Sequence, residues 1–341
     1  MKLVAVTRIL NEDDIVEAFV RHHQPMFDHH LFLDNGSTDR TLEILARLHQ
    51  EGARLTLLQN TAPFYVEPAY NTNLYGHAAR HLAANWVTFL DCDEFVDARR
   101  GQEGSAGGGS AGGLRARLAG LPAEIGCLKI ATADYFDTAQ HGAAGAAPGI
   151  DLLVPRRITR RERVPAAPVP RVSVRGSLAA QGATVEGGNH EAYLSGAPIP
   201  AVTATDIAIA HFPRRSPWQA MAKAAIGRLK VLAAGREEVE NQRSYHYTGM
   251  FETLRDTPEM ILRNPGHMAP SHADLDLVDD PIDYLGGALR YTQPSDPAVK
   301  ALRSVLAYSE LLAQQHGRLR DTNEGVRMQT QHWAGTWSVL F

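Results

Sequence analysis

Trp86-Val87-Thr88-Phe89-Leu90-Asp91-Cys92-Asp93-Glu94-Phe95 is an apolar run that delivers two carboxylates, one residue apart, where it stops being hydrophobic. Five residues without a charge, rich in aromatic and β-branched types and preceded by a helical stretch, read as a buried parallel strand. Open α/β sheets place their ligands at the carboxyl ends of such strands. Asp91 and Asp93 can there reach one hard cation, both directly or one of them through water. Mg²⁺ or Mn²⁺ held this way spends its remaining positions on substrate phosphates. An isolated Asp-x-Asp is as often a solvated acidic turn, so its neighbours have to decide.

The neighbours repeat one pattern. Lys2 to Ile9 is an apolar strand followed by Asn11-Glu12-Asp13-Asp14, a helix-start signal with Asn11 as cap and acids in the first turn. The helix predicted there runs through Ile15, Phe19 and Val20. His30-Leu31-Phe32-Leu33 is a short strand ending in Asp34-Asn35-Gly36-Ser37-Thr38-Asp39, where Gly36 makes the turn and Ser37, Thr38 or Asp39 caps a helix carrying Leu42, Leu45 and Leu48. Arg54 to Leu58 is a further strand, and Asn73 to Ala84 is the helix before the acidic strand. Strand and helix alternate through the first 95 residues, which calls for a mostly parallel sheet flanked by helices.

Asn11-Glu12, Asp34 to Asp39 and Asp91-Cys92-Asp93-Glu94-Phe95, in this order and spacing, resemble the family 2 glycosyltransferases. The resemblance is nearest to a branch with an Asp-x-Asp-Glu-Phe motif related to family 92. It implies a GT-A-like, Rossmann-like α/β fold and transfer of a sugar from a nucleotide diphosphate donor. Residue by residue, Asp34 matches the acid that reads the uracil or ribose, and Thr7, Arg8 and Glu12 match the nucleotide-facing end of the first strand. Asp91 and Asp93 match the metal-binding pair, with Asp93 preferred as the direct ligand. A carboxylate can accept from an imide N–H or a ribose hydroxyl, and a divalent cation neutralises a leaving diphosphate. Simpler readings stand beside these: Asp39 as a helix cap, Asn35 and Gly36 as turn formers, Glu94 as a first-turn acid, Arg8 as a surface charge.

Composition narrows the class. The chain has 341 residues and a formal net charge of −4, which gives no global attraction to nucleic acid or anionic membrane. Its two cysteines, Cys92 and Cys127, make neither a metal quartet nor a disulfide scaffold, so a reducing compartment is expected. Cys92 points away from the flanking acids and is expected to pack. No apolar run approaches the ~20 residues that span a bilayer. The expectation is a cytoplasmic protein without a transmembrane segment or signal peptide, at most peripheral at the inner face of the membrane.

Past Asp97 the sequence changes character. Residues 101–113 are a Gly-rich loop, followed by a helix around Leu114 to Leu121 and a strand at Gly126 to Ala131. Asp134-Tyr135-Phe136-Asp137 sets aromatic rings beside acids at a strand end, a composition that suits a sugar acceptor. His141 and a second Gly/Ala stretch follow. Arginines at 156, 157, 160, 161 and 163, with Arg171 and Arg175, fit loops facing a diphosphate or a solvated face better than nucleic acid, since no stacking aromatics are interleaved. Gly187 to Glu191 resembles the branch's Gly-x-His element, with His190 as a donor contact. Ile207 to Pro217 resembles its strand-end His-aromatic signature, continued by a helix with Lys223 and Gly227. The resemblance implies a metal or donor contact for His211, and diphosphate contacts for Arg214, Arg215 and Lys223. For the catalytic base, which must reach the acceptor hydroxyl, Glu191 is the first candidate and Asp137 the second.

Residues 1–235 are thus expected to form the GT-A-like domain, with 1–97 the nucleotide half and 98–235 the acceptor half. Residues 236–341 are a mainly helical extension. Its helices are predicted at Val239 to Leu254, Pro258 to Leu262 and Asp296 to His316, the last with Val299, Leu302, Val305, Leu306 and Leu312 on one apolar face. These helices, or the apolar end with Trp333, Trp337, Leu340 and Phe341, are candidates for a homodimer contact. The expected activity is a metal-dependent, inverting glycosyltransferase using Mn²⁺ or Mg²⁺ and a nucleotide sugar, UDP-sugar favoured, with a carbohydrate or glycoconjugate acceptor. The alternatives are a catalytically silent nucleotide- or carbohydrate-binding protein of the same fold, a phosphohydrolase, or a sugar nucleotidyltransferase. The last two want an acidic pair or a Gly-rich loop after the first strand, and neither is there.

Overall fold

A computed structural model describes residues 1–64, 66–97, 113–138, 151–163, 169–240, 246–263 and 275–334. Residues 101–112, His141, the second Gly/Ala stretch to 149, Pro265, Pro270, Trp337, Leu340, Phe341 and the side chain of Trp333 lie outside them.

The first half alternates as its periodicity requires. Strands β1 (Leu3–Ile9), β2 (His29–Asp34), β3 (Leu55–Gln59) and β4 (Trp86–Phe89) are separated by helices α1 (Val16–His23), α2 (Thr41–Gln50) and α3 (Glu67–His81). All four strands pair in parallel, in the order β4-β1-β2-β3. β1 lies between two neighbours, and its alternate residues feed opposite faces. Leu3, Ala5 and Ile9 pack with Phe19, Ile44 and Leu45 on one side. Val4 and Val6 pack with Leu74, Tyr75 and Phe89 on the other. A strand covered on both faces needs apolar residues at every position, which is why these runs show no alternation.

Two helix starts differ from expectation. α1 begins at Val16, and Asn11 is not its cap: Asn11 has φ 60°, and its side-chain oxygen accepts from the N–H of Thr38 at 2.7 Å and of Asp39 at 3.3 Å. This short amide tolerates the left-handed conformation and ties the loop after β1 to the loop after β2. α3 begins at Glu67, six residues before the predicted Asn73, with Pro68 in its first turn, where the missing N–H costs no helical bond. Asp39 does serve a helix start, accepting from Thr41 N at 2.9 Å.

The second half adds β5 (Glu94–Asp97), α4 (Gly113–Ala119), β6 (Cys127–Phe136), α5 (Val154–Arg157), β7 (Arg160–Glu162) and β8 (Pro170–Arg175). A small antiparallel sheet of β9 (Thr184–Val185), β10 (Ala192–Leu194) and β11 (Ala197–Pro198) follows, then β12 (Ala201–Thr203) and β13 (Ala208–His211). β8 pairs antiparallel with both β4 and β6, while β13 runs parallel to β6 and antiparallel to β5. Glu94 therefore opens a strand and is not a first-turn acid. β6 reaches Phe136, well past the predicted end at Ala131. It buries Tyr135 against Phe212, with the Tyr135 hydroxyl donating to Asp280 O at 2.8 Å, so this ring is core and not a platform for sugar.

The C-terminal region is helical: α6 (Pro217–Ala234), α7 (Arg236–Glu240), α8 (His246–Asp256), α9 (Pro258–Arg263), the strand β14 (Leu277–Asp279) against β7, α10 (Pro297–Thr322) and α11 (Glu324–Ala334). Among the described residues no helix is long and apolar enough to cross a membrane. α10 reverses its predicted face. Val299, Leu302 and Leu306 are exposed, while Ala301, Ser304 and Tyr308 are buried. The buried face is held by polar contacts, with Asn11 Nδ2 donating to Ser304 Oγ at 3.0 Å and Lys300 paired with Asp13 and, at 3.0 Å, with Asp39.

Candidate functional site

β4 ends under the sheet's carboxyl edge, and the acidic turn is built from its own carboxylate. Asp91 N donates to Glu94 Oε2 at 2.9 Å and Glu94 N donates to Asp91 O at 3.0 Å, which reverses the chain into β5. β13 then lies against β5 with His211 opposite Glu94 and against β6 with His211 opposite Asp134. Phe212 N donates to Asp93 O at 2.8 Å. Two segments more than a hundred residues apart are thereby clamped together, and His211 stands beside Asp93.

A cavity of about 510 Å³ opens over this turn. Arg8, Glu12, Asp91, Asp93, His211, Arg214 and Lys223, all predicted from sequence, line it, as does His190. Asp93 is 2% exposed and its two oxygens have different partners. Oδ2 faces Lys223 Nζ at 2.9 Å and Arg215 Nη1 at 3.4 Å, whereas Oδ1 faces His211 Nε2 at 3.7 Å. Burial alone would raise the Asp93 carboxyl, but Lys223, His211 and Arg215 hold it well below the usual range, so it stays ionised. His211 Nδ1 lies 2.8 Å from Asp134 Oδ1. Against the opposing effect of burial, that hydrogen bond and the charges of Asp93 and Glu94 raise the imidazole above its ordinary value. A carboxylate on Nδ1 leaves Nε2 aimed at Asp93, the pattern that orients a metal-ligating histidine. Asp91 is 35% exposed and lies 3.8 Å from Arg8 and 3.5 Å from Arg171.

The adjacent arginines separate. Arg214 is half-buried, faces the cavity and has no hydrogen-bond or ion-pair partner among the described residues. Arg215 is buried behind the wall, where it pairs with Glu12, with Asp14 at 2.8 Å and with Asp93. Burial pushes Glu12 up to about 7 even with Arg215 beside it, while Arg215 and Lys300 overcome burial at Asp14 and lower it.

The remaining predicted residues are not brought to the cavity. Thr7 is buried in β1. Asp34 is fully buried and accepts from Gly36 N at 3.1 Å, Ser37 N at 3.0 Å and Gln59 Nε2 at 3.0 Å, and its neighbour Asn35 supplies the lining there. Glu191 pairs with Lys129 at 2.6 Å, and Asp137 lies 3.2 Å from Arg157. Neither proposed base lines the cavity. Cys92 packs in the core as expected, and it also borders the cavity between Asp91 and Asp93.

Several lining residues were not singled out from sequence, and three of them bear on the chemistry. Arg171, read only as one of a basic cluster, is buried in β8 and grips Glu94 at 2.6 Å. Its signal was an arginine inside the apolar run Val169 to Val174, where an exposed charge has no place. Tyr247 and Lys230 come from α8 and α6; Lys230 follows Lys223 at seven residues, the repeat of one helix face.

Whether a divalent cation suits this site is a question about the donor set. Among the described residues no group of three His, Cys, Asp or Glu side chains is arranged to hold a metal unaided. Asp93 Oδ1, His211 Nε2 and the more exposed Asp91 form an oxygen-and-imidazole set on one side of an open cavity. That fits Mn²⁺ or Mg²⁺ that takes its other positions from phosphate and water.

Residues 6–100, under a third of the chain, match the model of Glycosyl transferase family 2. No curated protein matches the chain. Among solved structures it is similar to TarS residues 1–349 of S. aureus, at 11% identity and TM-score 0.37 over 77% of this chain and 75% of that one. It is similar to the mannosyltransferase PcManGT of Pyrobaculum calidifontis in complex with GDP-Man and Mn²⁺, at 12% identity and TM-score 0.39 over 98% and 84%. A third is glucosyl-3-phosphoglycerate synthase of Mycobacterium tuberculosis with Mn²⁺, UDP and phosphoglyceric acid, at 14% identity and TM-score 0.34 over 69% and 78%. Identities and scores this low leave the reading of the site to the chain's own residues.

Proposed function

We propose that this chain is a metal-dependent glycosyltransferase that moves a sugar from a nucleoside diphosphate donor, UDP-sugar favoured, to an acceptor hydroxyl with inversion. The observation that carries the reading is the divided Asp93 carboxylate: one oxygen held by fixed cations, the other turned with His211 Nε2 toward a cavity that Asp91 also lines. Asp93, His211 and Asp91 would hold Mn²⁺ or Mg²⁺, which when bound neutralises charge on the departing diphosphate. Arg214, which forms no ion pair among the described residues and has Asp134 only as a more distant favourable charge, is placed to take the same anion as a fixed donor, and Arg8 flanks Asp91. Lys223 acts one step back, keeping Asp93 ionised. Arg215 serves as a buried counterion, which replaces the direct diphosphate role expected for it. Glu191 and Asp137 sit in ion pairs outside the lining, so either could take the acceptor's proton only from an acceptor that approaches beyond this wall.

The test is thermal unfolding of the purified chain with UDP, GDP, CDP or ADP, with and without Mn²⁺, in wild type and His211→Gln. A ligand bound only by the native state adds RT ln(1 + [L]/Kd), about 2.7 kcal/mol at a hundredfold excess. Stabilisation that needs Mn²⁺ and shrinks in His211→Gln supports the reading. No response to any nucleotide, with or without metal, rejects it in favour of a silent carbohydrate-binding protein.

A further inference from the structure

α6 presents two lysines to the cavity, and their surroundings differ. Lys223 is paired with Asp93. Lys230 is 6% exposed, lines the cavity, and forms no hydrogen bond or ion pair among the described residues. Burial drives its ammonium down to about 8, with Asp34 as the favourable charge in its vicinity and Arg8 opposing. A buried cation left unpaired is costly, and the cost is relieved when a ligand brings an acceptor to it.

Its position says which part of a ligand that acceptor belongs to. Seven residues along α6 are two turns, ~10 Å along the axis, on the same face of the helix. Lys223 marks the acidic end of the cavity beside Asp93, and Lys230, two turns further along α6, lies within electrostatic reach of Asp34 at the carboxyl end of β2 and of Arg8, with Asn35 in the same lining. A nucleoside diphosphate with its phosphates at Asp91, Asp93 and Arg214 has about that reach to the edge of its base.

Resting on the donor reading above, we propose that Lys230 selects the nucleobase by donating to a ring carbonyl, so that the donor carries a keto base, uracil or guanine, and not cytosine or adenine. The ammonium has three donors and no acceptor. A keto oxygen at pyrimidine position 4 or purine position 6 pairs with it, whereas the amino group that cytosine or adenine carries there sets donor against donor in a dry site. A mismatch of that kind rejects a ligand more strongly than a missing contact does. Asn35, with both a donor and an acceptor, can accompany either edge and does not discriminate by itself.

The test is calorimetric titration of the full chain with Mn²⁺ and UDP, GDP, CDP, ADP or pyrophosphate, in wild type, Lys230→Met and Lys230→Gln. Met keeps the apolar stem, and melting curves verify that each variant is folded. Expected are UDP and GDP binding about 10- to 100-fold tighter than CDP and ADP in wild type. Met should remove that preference while leaving pyrophosphate unchanged. Gln, which both donates and accepts, should narrow the preference to a few-fold. If Lys230→Met keeps the keto preference, or weakens pyrophosphate as much as UDP, Lys230 is not the base reader and this inference alone falls. A wild type that binds pyrophosphate and every nucleotide equally also overturns it alone. A wild type that binds none of the five overturns the donor reading and this inference with it.

Discussion

Replacing Arg215 with Met removes a guanidinium that faces three carboxylates at once. Arg215 Nε is 2.8 Å from Asp14, Nη1 is 3.4 Å from Asp93, and Nη2 pairs with Glu12, all with the arginine 2% exposed. At 2.8 Å and an effective dielectric near 20, a single pair is worth about 6 kcal/mol of Coulomb energy, most of it offset by the desolvation of both partners. Deleting one member of such a buried set costs about 3–5 kcal/mol, because the other charges remain buried and uncompensated. At roughly 2–4 °C per kcal/mol for a large domain, the melting temperature should fall by on the order of 10 °C. Arg215→Lys should recover only part of this, since an ammonium cannot span Asp14, Glu12 and Asp93 as the planar fork does. Differential scanning calorimetry or urea unfolding at pH 7, without ligand, reads the effect. A variant that loses less than about 1 kcal/mol of stability but loses nucleotide affinity would refute the counterion argument and return Arg215 to the diphosphate.

Two further outcomes follow from buried groups. His22 and His30 are held neutral by burial, His22 lowered to about 4 and His30 to about 3, so the unfolded chain binds their protons first as pH falls below about 6.5. Their stabilisation is complete above that value and is lost on acidification through it, about 2 kcal/mol for each by pH 5. His30→Phe, placed among Phe19, Phe27 and Phe32, should flatten the stability difference between pH 7 and pH 5 by about that amount in urea titrations; an unchanged difference would contradict it. At Gly227, an added Cβ would lie 2.5 Å from Tyr247 Cδ2 and 2.6 Å from Cε2, so Gly227→Ala must push that ring, which lines the cavity. The variant should lose about 1–3 kcal/mol and bind UDP with Mn²⁺ several-fold more weakly; unaltered melting and unaltered titration would show that the ring moves freely.

The strand-helix alternation of the first 95 residues was legible because it rests on local signals: uncharged β-branched runs for strands covered on both faces, and Leu42, Leu45 and Leu48 at helical spacing. Asp91 and Asp93 were legible for the same reason, since one residue of separation at a strand end fixes where both can reach. Cys92 packs as expected, but from a turn and not from a pleated strand, so it borders the cavity with the two acids. What failed were features settled by a distant partner. The start of α1 was misplaced because the Asn11 side chain serves Thr38 and Asp39, not the helix. Tyr135 looked like a sugar platform until β6 ran on to bury it against Phe212. α10 carries its larger apolar residues outward, because the wall it packs on offers Asn11, Asp13 and Asp39, and small or polar Ala301, Ser304 and Lys300 fit that surface better than leucine.

The sequence by itself determined the order of elements in the first half, their parallel arrangement and the acidic turn, since short-range pattern and chain direction decide those. Only the tertiary structure decided which charges are already neutralised. Arg214 and Arg215 are neighbours of identical chemistry, yet one faces the cavity while the other is locked to Asp14 and Glu12 some two hundred residues away. Arg171 and Lys230 likewise came to line the cavity only when folding brought Glu94 to the first and left the second, among the described residues, without an ion pair in a buried wall. A side chain's charge is written in the sequence, but its desolvation and its counterion are properties of the folded neighbourhood, and those two quantities separate a structural cation from one available to a ligand.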